Sequence, residues 1–483
     1  MEVKYKKELL IFLVCLLFFK PVWGSQDHSK FLKGPFKTGE EITKACLECH
    51  EKEANDFIKT SHWRWKGVPR TIASKENFKE EYGKSNLLNN FCISIEGGDK
   101  CSNSEFCTKC HPGYGWKDNT FDFNNKEKID CLICHAREGN YQKGLSGEPD
   151  RTLMERGIMS LTKAVKSVGK PKRENCGVCH FYGGGGEGVK NGDLDSALIK
   201  PSRDHDLHMG GVADMTCQEC HVTQEHKISG ASTFLATNEG RISCEDCHRK
   251  RHAESKSEKI LNKHLKTVAC QTCHIPYFAK AKPTKMRWDW STVGKDIEPE
   301  EQYGRETYAK HKGTFEWGMN VIPTYEWYNG KIKRYLKGDK IEDPKGIVYI
   351  SKPVGDIKDL NSKIYPFKVH RGKQPMDSVY KYLLIPKLYK GLWSHYDWDK
   401  ALVEGALGSK LPFSGKYEFV EMAMYGSINH EVEPKEKALR CDECHMGGKR
   451  LNWKALGYKG DPMKYGTRFD LLNETKKVEK KKN

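Results

Sequence analysis

The pentapeptide Cys-x-x-Cys-His occurs eight times and uses sixteen of the chain's 19 cysteines. The copies begin at Cys46, Cys107, Cys131, Cys176, Cys217, Cys244, Cys270 and Cys441. Two cysteines three residues apart can each form a thioether to one haem, and the histidine that follows reaches the iron. The attachment pairs are then Cys46/Cys49, Cys107/Cys110, Cys131/Cys134, Cys176/Cys179, Cys217/Cys220, Cys244/Cys247, Cys270/Cys273 and Cys441/Cys444. The proximal ligands are His50, His111, His135, His180, His221, His248, His274 and His445. A structural zinc site would join one Cys-x-x-Cys to a distant second ligand pair, with no need of histidine at the next residue. A disulfide framework has no use for that histidine either. The repetition points to eight covalently attached haems c.

This load dictates the fold class. Hydrophobic residues make up only 37% of the 483. The porphyrins must supply the missing apolar core, so the protein folds around its cofactors. Successive motifs start 61, 24, 45, 41, 27, 26 and 171 residues apart. The expected class is mainly α: a multihaem cytochrome c array with little sheet. The haem-dense part is 40–280, and the helical or irregular part is 281–475. Apolar spacing near three and four predicts a helix over 40–65. Alternation around Asn329-Gly330 predicts a small β-hairpin within 324–351, with 346–351 as a further strand. C-terminal helices are expected at 376–388 and 397–407.

Residues 1–24 read as a cleaved signal peptide: three early lysines, a short apolar run, then Pro21 and Gly24. Membrane anchoring by an uncleaved signal is the lesser alternative, because the run is short for a bilayer. Export suits c-type haem, and the expected compartment is the periplasm. Residues 25–475 are expected to form one octahaem domain, and 476–483 a basic tail. Net charge is +17, which could suggest nucleic acid. Haem propionates, about sixteen in all for eight haems, account for most of it as counter-charge. Nucleic-acid binding is not expected.

Eleven histidines lie outside the motifs. Position along the chain favours seven as distal iron ligands: His62, His205, His208, His226, His252, His264 and His430. His28, His311, His370 and His395 rank lower. His226 and His252 follow proximal histidines by five and four residues. They are too close to serve the same porphyrin, so each must reach another. Seven distal histidines for eight irons would leave one haem different.

The sequence resembles the octahaem tetrathionate reductase family of cytochromes c, relatives of hydroxylamine oxidoreductase and pentahaem nitrite reductase. The likeness lies in Thr-Ser-His-Trp at 60–63, His-Pro-Gly-Tyr-Gly-Trp-Lys-Asp at 111–118 and Cys-Gly-Val-Cys-His-Phe-Tyr-Gly-Gly-Gly-Gly at 176–186. It continues in Val-Lys-Asn-Gly-Asp-Leu-Asp at 189–195, Asp-Leu-His-Met at 206–209, Cys-Gln-Thr-Cys-His-Ile-Pro at 270–276 and Trp-Asp-Trp-Ser-Thr at 288–292. The resemblance implies seven bis-histidine haems and one active-site haem whose iron carries a lysine. That haem would be the second, at Cys107, Cys110 and His111, and the lysine would be Lys190. Cys92 and Glu187 match a neighbouring free cysteine and acid. The family's acid is usually aspartate, so Glu187 departs from it by one methylene. For Cys92, a disulfide with Cys101 is the competing reading.

The implied activity is multi-electron reduction of tetrathionate, nitrite or hydroxylamine. The alternatives are a pure electron-transfer cytochrome and a hydroxylamine or hydrazine oxidoreductase. Expected partners are a small anionic substrate and an electron donor, either a quinol dehydrogenase or a small periplasmic cytochrome. An oligomer is compatible with the sequence, and Ca2+ is a further candidate cofactor.

Overall fold

The structure is a computed structural model that describes residues 28–75, 79–91, 103–229, 242–248, 252 and 256–473. The expected signal peptide, Cys92, Cys101 and the basic tail lie outside these residues.

The haem-dense part is built from short helical turns. Most attachment motifs end or form one: Leu132–His135, Arg173–His180, Cys217–Cys220, Cys244–Cys247, Cys270–His274 and Cys441–Cys444. One turn suffices, because residues three apart share a helix face. In three motifs the residue before the second cysteine is an acid that caps its own turn. Glu219, Asp246 and Glu443 accept the backbone N–H of Thr216, Ser243 and Arg440 at 2.5, 2.7 and 2.8 Å. These carboxylates therefore hold the motif in shape.

The helix expected at 40–65 forms as α1 (Gly39–Phe57) and α2 (Ser61–Arg64). Thr38 and Glu41 close a capping box on α1, and the Thr60 side chain starts α2. Thr60 favours a cap over a helix interior, so the chain restarts there.

Beyond residue 283 the chain builds an eight-stranded sheet. Its strands are β1 (Thr284–Asp289), β2 (Tyr308–Ala309), β3 (Gly313–Gly318), β4 (Thr324–Tyr328), β5 (Ile332–Arg334), β6 (Val348–Pro353), β7 (Lys363–Asp377) and β8 (Tyr417–Ser427). The order is β2-β3-β1-β7-β8-β6-β5, with β4 also on β7. Strand β7 is buried along almost its whole length, as a strand covered on both faces must be. The largest apolar cluster joins Trp288, Trp290, Ile350, Met376, Leu384 and Leu402 on and beside this sheet.

The mainly-α multihaem class holds, with 31% helix against 18% strand among the described residues. Three local expectations do not. The part 281–475, expected to be helical or irregular, carries the eight-stranded sheet, whose buried strands lack a marked alternation. The segments 324–328 and 332–334 are strands, but they do not pair as a hairpin. β4 pairs with β7 and β5 pairs with β6. Gly330, at φ +92°, turns the chain out of one pairing into another. The helix expected at 376–388 is the end of β7 and a tight return. The Asp377 carboxylate accepts the N–H groups of Val379 and Tyr380 at 2.8 Å each, and Leu383 bridges back to Met376. An aspartate that binds its own downstream backbone favours a turn over a helix. The helix expected at 397–407 is present as α3 (Trp398–Ser409), capped by Asp397.

Candidate haem array and reaction site

A continuous cavity of about 3730 Å³ runs between the motifs. Cysteines from seven of the eight motifs line it, all but the first. None of the sixteen motif cysteines, all within the described residues, is in a disulfide, which leaves them available for thioethers.

The first motif stands apart from this cavity. Cys49 is exposed and does not line the cavity. Cys220, Cys247 and Cys441 are exposed too, yet each of these lines it. The difference comes from α1. Cys46 packs inward, against the cluster of Ile42, Leu132 and Ile133, whereas Cys49 sits among exposed residues, between Glu48 and His50. The helix geometry breaks at His50, with φ −112° and ψ 33°. Cys49 thus stands at an open end of the array, and its role as an attachment residue rests on its place in the motif and on the ring opposite His50.

The histidines fall into pairs. Two imidazole nitrogens, each about 2 Å from one metal ion, put their ring centres roughly 6 Å apart. The observed centres are 6.1 Å apart for His28 and His50, 6.2 Å for His62 and His180, and 6.3 Å for His135 and His226. They are 5.9 Å for His208 and His248, 6.3 Å for His221 and His430, and 6.1 Å for His264 and His445. His274 interacts electrostatically with His252 first, then with His248 and His208. In every pair one ring follows a Cys-x-x-Cys and the other does not.

The backbone and acids around these rings orient them. A Nδ1–H donated elsewhere leaves Nε2 bare for a metal. His135 Nδ1 lies 2.9 Å from Gly169 O, His221 Nδ1 3.2 Å from Ser229 O, and His264 Nδ1 3.1 Å from Ile260 O. Carboxylates do the same for His445, 2.6 Å from Asp461, and His430, 3.1 Å from Asp193. Burial holds His62 and His221 below the usual imidazole range and pushes His180 to about 3. Neutral rings suit metal ligation. His430 departs from this: burial lowers it, but the Asp193 hydrogen bond and charge raise it above the ordinary value.

His111 is different. Among the described residues no histidine ring pairs with it. Its imidazole is fully buried in an aromatic box, with ring centres of Trp116, Trp63, Trp65 and Phe121 at 4.8, 5.0, 5.3 and 5.5 Å. Lys190 lines the same cavity as Cys107 and Cys110, with Lys84 and Lys109 nearby. Gly184, at φ +82°, lets the backbone approach both Lys190 Cβ and Phe91.

Glu187 lies on the turn before Lys190. Its carboxylate bonds the Ser196 hydroxyl and N–H and sits 3.5 Å from Arg305. Burial would raise its pKa, but these hydrogen bonds and the charges of Lys282 and Arg305 hold it below the carboxylate range. At neutral pH it is an anion.

Contacts between motif cysteines give the order of the array. Cys46 meets Cys131, Cys176 meets Cys217, and Cys244 meets Cys270. Electrostatic interactions link Cys134 with Cys176, Cys220 with Cys247, and Cys273 with Cys444. The motifs beginning at Cys46, Cys131, Cys176, Cys217, Cys244, Cys270 and Cys441 thus form one line. The motif at Cys107 joins it from the side, through Cys110 against Cys179. It is a branch off the third station of that line.

The chain aligns over 91% of its length, and 98% of the other's, with the crystal structure of octaheme cytochrome c from Shewanella oneidensis, at 45% identity and a TM-score of 0.82. It belongs to the octahaem c-type cytochromes. Residues 285–448 of this cytochrome also match the family described as cytochrome c bacterial, a span that covers nearly the whole sheet. An uncharacterized protein of Archaeoglobus fulgidus is 24% identical over 259 residues, 44% of this chain and 84% of its own length. The cytochrome binds haem c covalently, and its motif cysteines and paired histidines fit that cofactor. Among its described residues no helix is long and apolar enough to cross a membrane. Nor does any group of three or more His, Cys, Asp or Glu converge there to hold a metal ion, so no Ca2+ site is assigned.

One member of the expected distal set falls outside these pairs. Among the described residues His205 pairs with no histidine ring and lies 3.6 Å from the buried Glu431 carboxylate. His28, ranked lower in sequence, stands opposite His50. Closeness to His208 makes His205 attractive in sequence, but the turn caps at Asp206 and only His208 faces a motif. His28 precedes a motif as His264 and His430 do, so the same signal is present. His370 is buried on β7 against Phe91, at 4.5 Å. His311 lies by Trp393, and His395 lies by Glu404.

Proposed function

We propose that the chain is a periplasmic reductase carrying eight haems c, with the branch at His111 as its reaction site and Lys190 as the sixth iron ligand there. The observation that carries the reading is the set of six histidine pairs at about 6 Å, with His252 acting on His274, that leaves His111 with no histidine ring opposite it among the described residues. Five of the seven distal histidines expected from sequence, His62, His208, His226, His264 and His430, fall in such pairs, and His28 adds the sixth.

Haem, when bound, supplies one-electron carriers along the line and an exchangeable coordination position at the branch. The residues supply the rest. Lys84, Lys109 and Lys143 place positive charge beside Cys110, which draws an anion, while a ligating Lys190 amine is itself neutral. The aromatic box excludes water around His111. Glu187 is held ionised by Ser196 and Arg305, so it orders cationic or hydrogen-bonding groups at the site and takes a proton before giving one. Cys92, next in chain to Phe91, is the candidate thiol. The substrate class is a small sulfur or nitrogen species: tetrathionate, nitrite or hydroxylamine. The donor is a quinol dehydrogenase or small cytochrome.

The test is stoichiometric. The purified holoprotein, reduced in full, is mixed with each substrate without oxygen, and reoxidation is followed in the Soret band. Rapid turnover with at least one supports the reading. Slow reoxidation with all three leaves the electron-transfer cytochrome as the correct account.

The assignment of His28 has its own check. His28→Met should alter one low-spin haem signal in the EPR spectrum, whereas His205→Ala should leave all of them in place. Loss of a low-spin signal on removing His205 would restore it as a ligand.

A further inference from the structure

The turn that bears Lys190 is clamped to the sheet. Three consecutive carbonyls, Gly188, Val189 and Lys190, each accept a hydrogen bond from a buried side chain of the sheet. The Thr284 hydroxyl, at the start of β1, donates to Gly188 O at 2.6 Å. Lys368 Nζ, on β7, donates to Val189 O at 2.9 Å and Lys190 O at 3.1 Å. Lys368 also donates to the Thr284 hydroxyl at 2.5 Å, so the two side chains act as a unit. Lys368 is 1% exposed and Thr284 fully buried. On its other side the turn is tied to the Cys176 motif, through Gly188 N to Phe181 O at 2.9 Å and Lys190 N to Gly183 O at 3.2 Å.

A buried ammonium is costly unless its hydrogens are used. Lys368 uses them on main-chain carbonyls of one turn. That placement serves neither a surface ion pair nor apolar packing. Gly192 sharpens the point: a Cβ there would meet Phe278 at 2.4 Å and the Lys368 stem at 3.4 Å. The chain passes close over the lysine because residue 192 has no side chain.

We infer that Lys368 and Thr284 are positioning residues that fix the Lys190 backbone, and so set how firmly the Lys190 amine competes with substrate for the His111 iron. The inference rests on the reading of Lys190 as sixth ligand. It gives the sheet a role in the chemistry: strands β1 and β7 carry the clamp.

The test uses full-length holoprotein of Lys368→Met, Thr284→Val and Lys190→Ala, with EPR of the oxidised state and a cyanide titration. In Lys368→Met the signal altered by Lys190→Ala should shift or broaden while the other low-spin signals stay unchanged. Cyanide should bind that haem roughly tenfold more tightly, since a loosened internal ligand competes less. Thr284→Val, close to isosteric, should move both readouts the same way by less. It also serves as the deciding variant if Lys368→Met fails to take up its haems. Unchanged signal and unchanged cyanide affinity in the clamp variants, with Lys190→Ala altering both, would overturn the clamp alone. No effect of Lys190→Ala itself would overturn the ligand reading first.

Discussion

Lys190→Ala should lower kcat/KM for the best substrate about a hundredfold, the size typical when one preorganised hydrogen-bond donor is taken from a reacting anion, the role open to the Lys190 amine once substrate takes its place. The variant should also change a single haem signal in EPR, because the paired histidines do not involve Lys190. Lys190→His gives a complementary result. Histidine at this position would be a firmer ligand, so the branch haem should resemble the other seven, cyanide binding should fall, and turnover should be lost. The two variants together separate ligand exchange from a merely structural role for the turn. Both should keep the full haem content by pyridine haemochrome assay, since neither changes an attachment cysteine. A wild-type rate in both would remove Lys190 from the site. Glu187→Gln should act more mildly, through the clasp of Ser196 and Arg305. Near pH 7 the wild-type carboxylate is ionised. Its contribution to activity should be lost as pH falls below the usual carboxylate range, and the glutamine variant should lack that dependence.

The haem chemistry is legible in the sequence because it is local. A Cys-x-x-Cys-His turn carries both thioether positions and the proximal ligand within five residues, so spacing alone identifies it. Spacing does not say how deeply each motif is buried: Cys49 and Cys134 look alike in sequence, yet one is exposed on α1 and the other lines the cavity. Distal ligands are not local, and the sequence says less about them. His226 cannot serve the haem of its neighbour His221, and its ring stands opposite His135. His264 and His430 each precede a motif in the chain, yet face His445 and His221. Which ring meets which is set by how the motif turns stack. That depends on contacts such as Cys46 with Cys131 across 85 residues of chain, which no periodicity records. His28 ranks low in sequence for the same reason. Most of the sheet is hidden there too, because β7 is buried on both faces and lacks the alternation that marks a half-exposed strand. The Asn329-Gly330 turn is visible, but its pairing is not. Turn chemistry fixes where the chain bends, and partners for β4 and β5 come from β7 and β6, strands further along. Lys368 and Thr284 carry no sequence signal. One is among 82 basic residues, and only burial beside the Lys190 carbonyls sets it apart.

Lys143→Met should be the most destabilising single change outside the haem ligands. Lys143 and Asp130 form an ion pair at 2.8 Å with side-chain exposures of 1% and 0%. Every strong group around them is used. Lys143 donates to His111 O at 2.6 Å and Gly113 O at 3.1 Å. Asp130 accepts from the Tyr114 and Tyr141 hydroxyls at 2.9 and 3.0 Å and from Ile133 N at 3.1 Å. Burial, with the Asp130 charge adding to it, pushes both phenols far above their ordinary range, so they remain donors. Removing one member of such a pair leaves a buried charge uncompensated, at a cost of about 3–5 kcal/mol, against a total stability of about 5–15 kcal/mol for a typical domain. The damage should be focused, because Asp130 precedes Cys131 and Lys143 holds the carbonyl of His111. Haem uptake should fall first at those two motifs, as read by mass spectrometry of haem-bearing peptides, and the thermal midpoint should drop. Replacing both partners, Lys143→Met with Asp130→Asn, should recover part of the loss, since no lone charge is then buried. The pair Lys52–Asp56, whose lysine is 72% exposed, is the control: Lys52→Ala should shift stability by less than about 1 kcal/mol. If Lys143→Met melts like that surface variant, the pair does not hold the branch motif in place, and the aromatic box around His111 must carry that task alone.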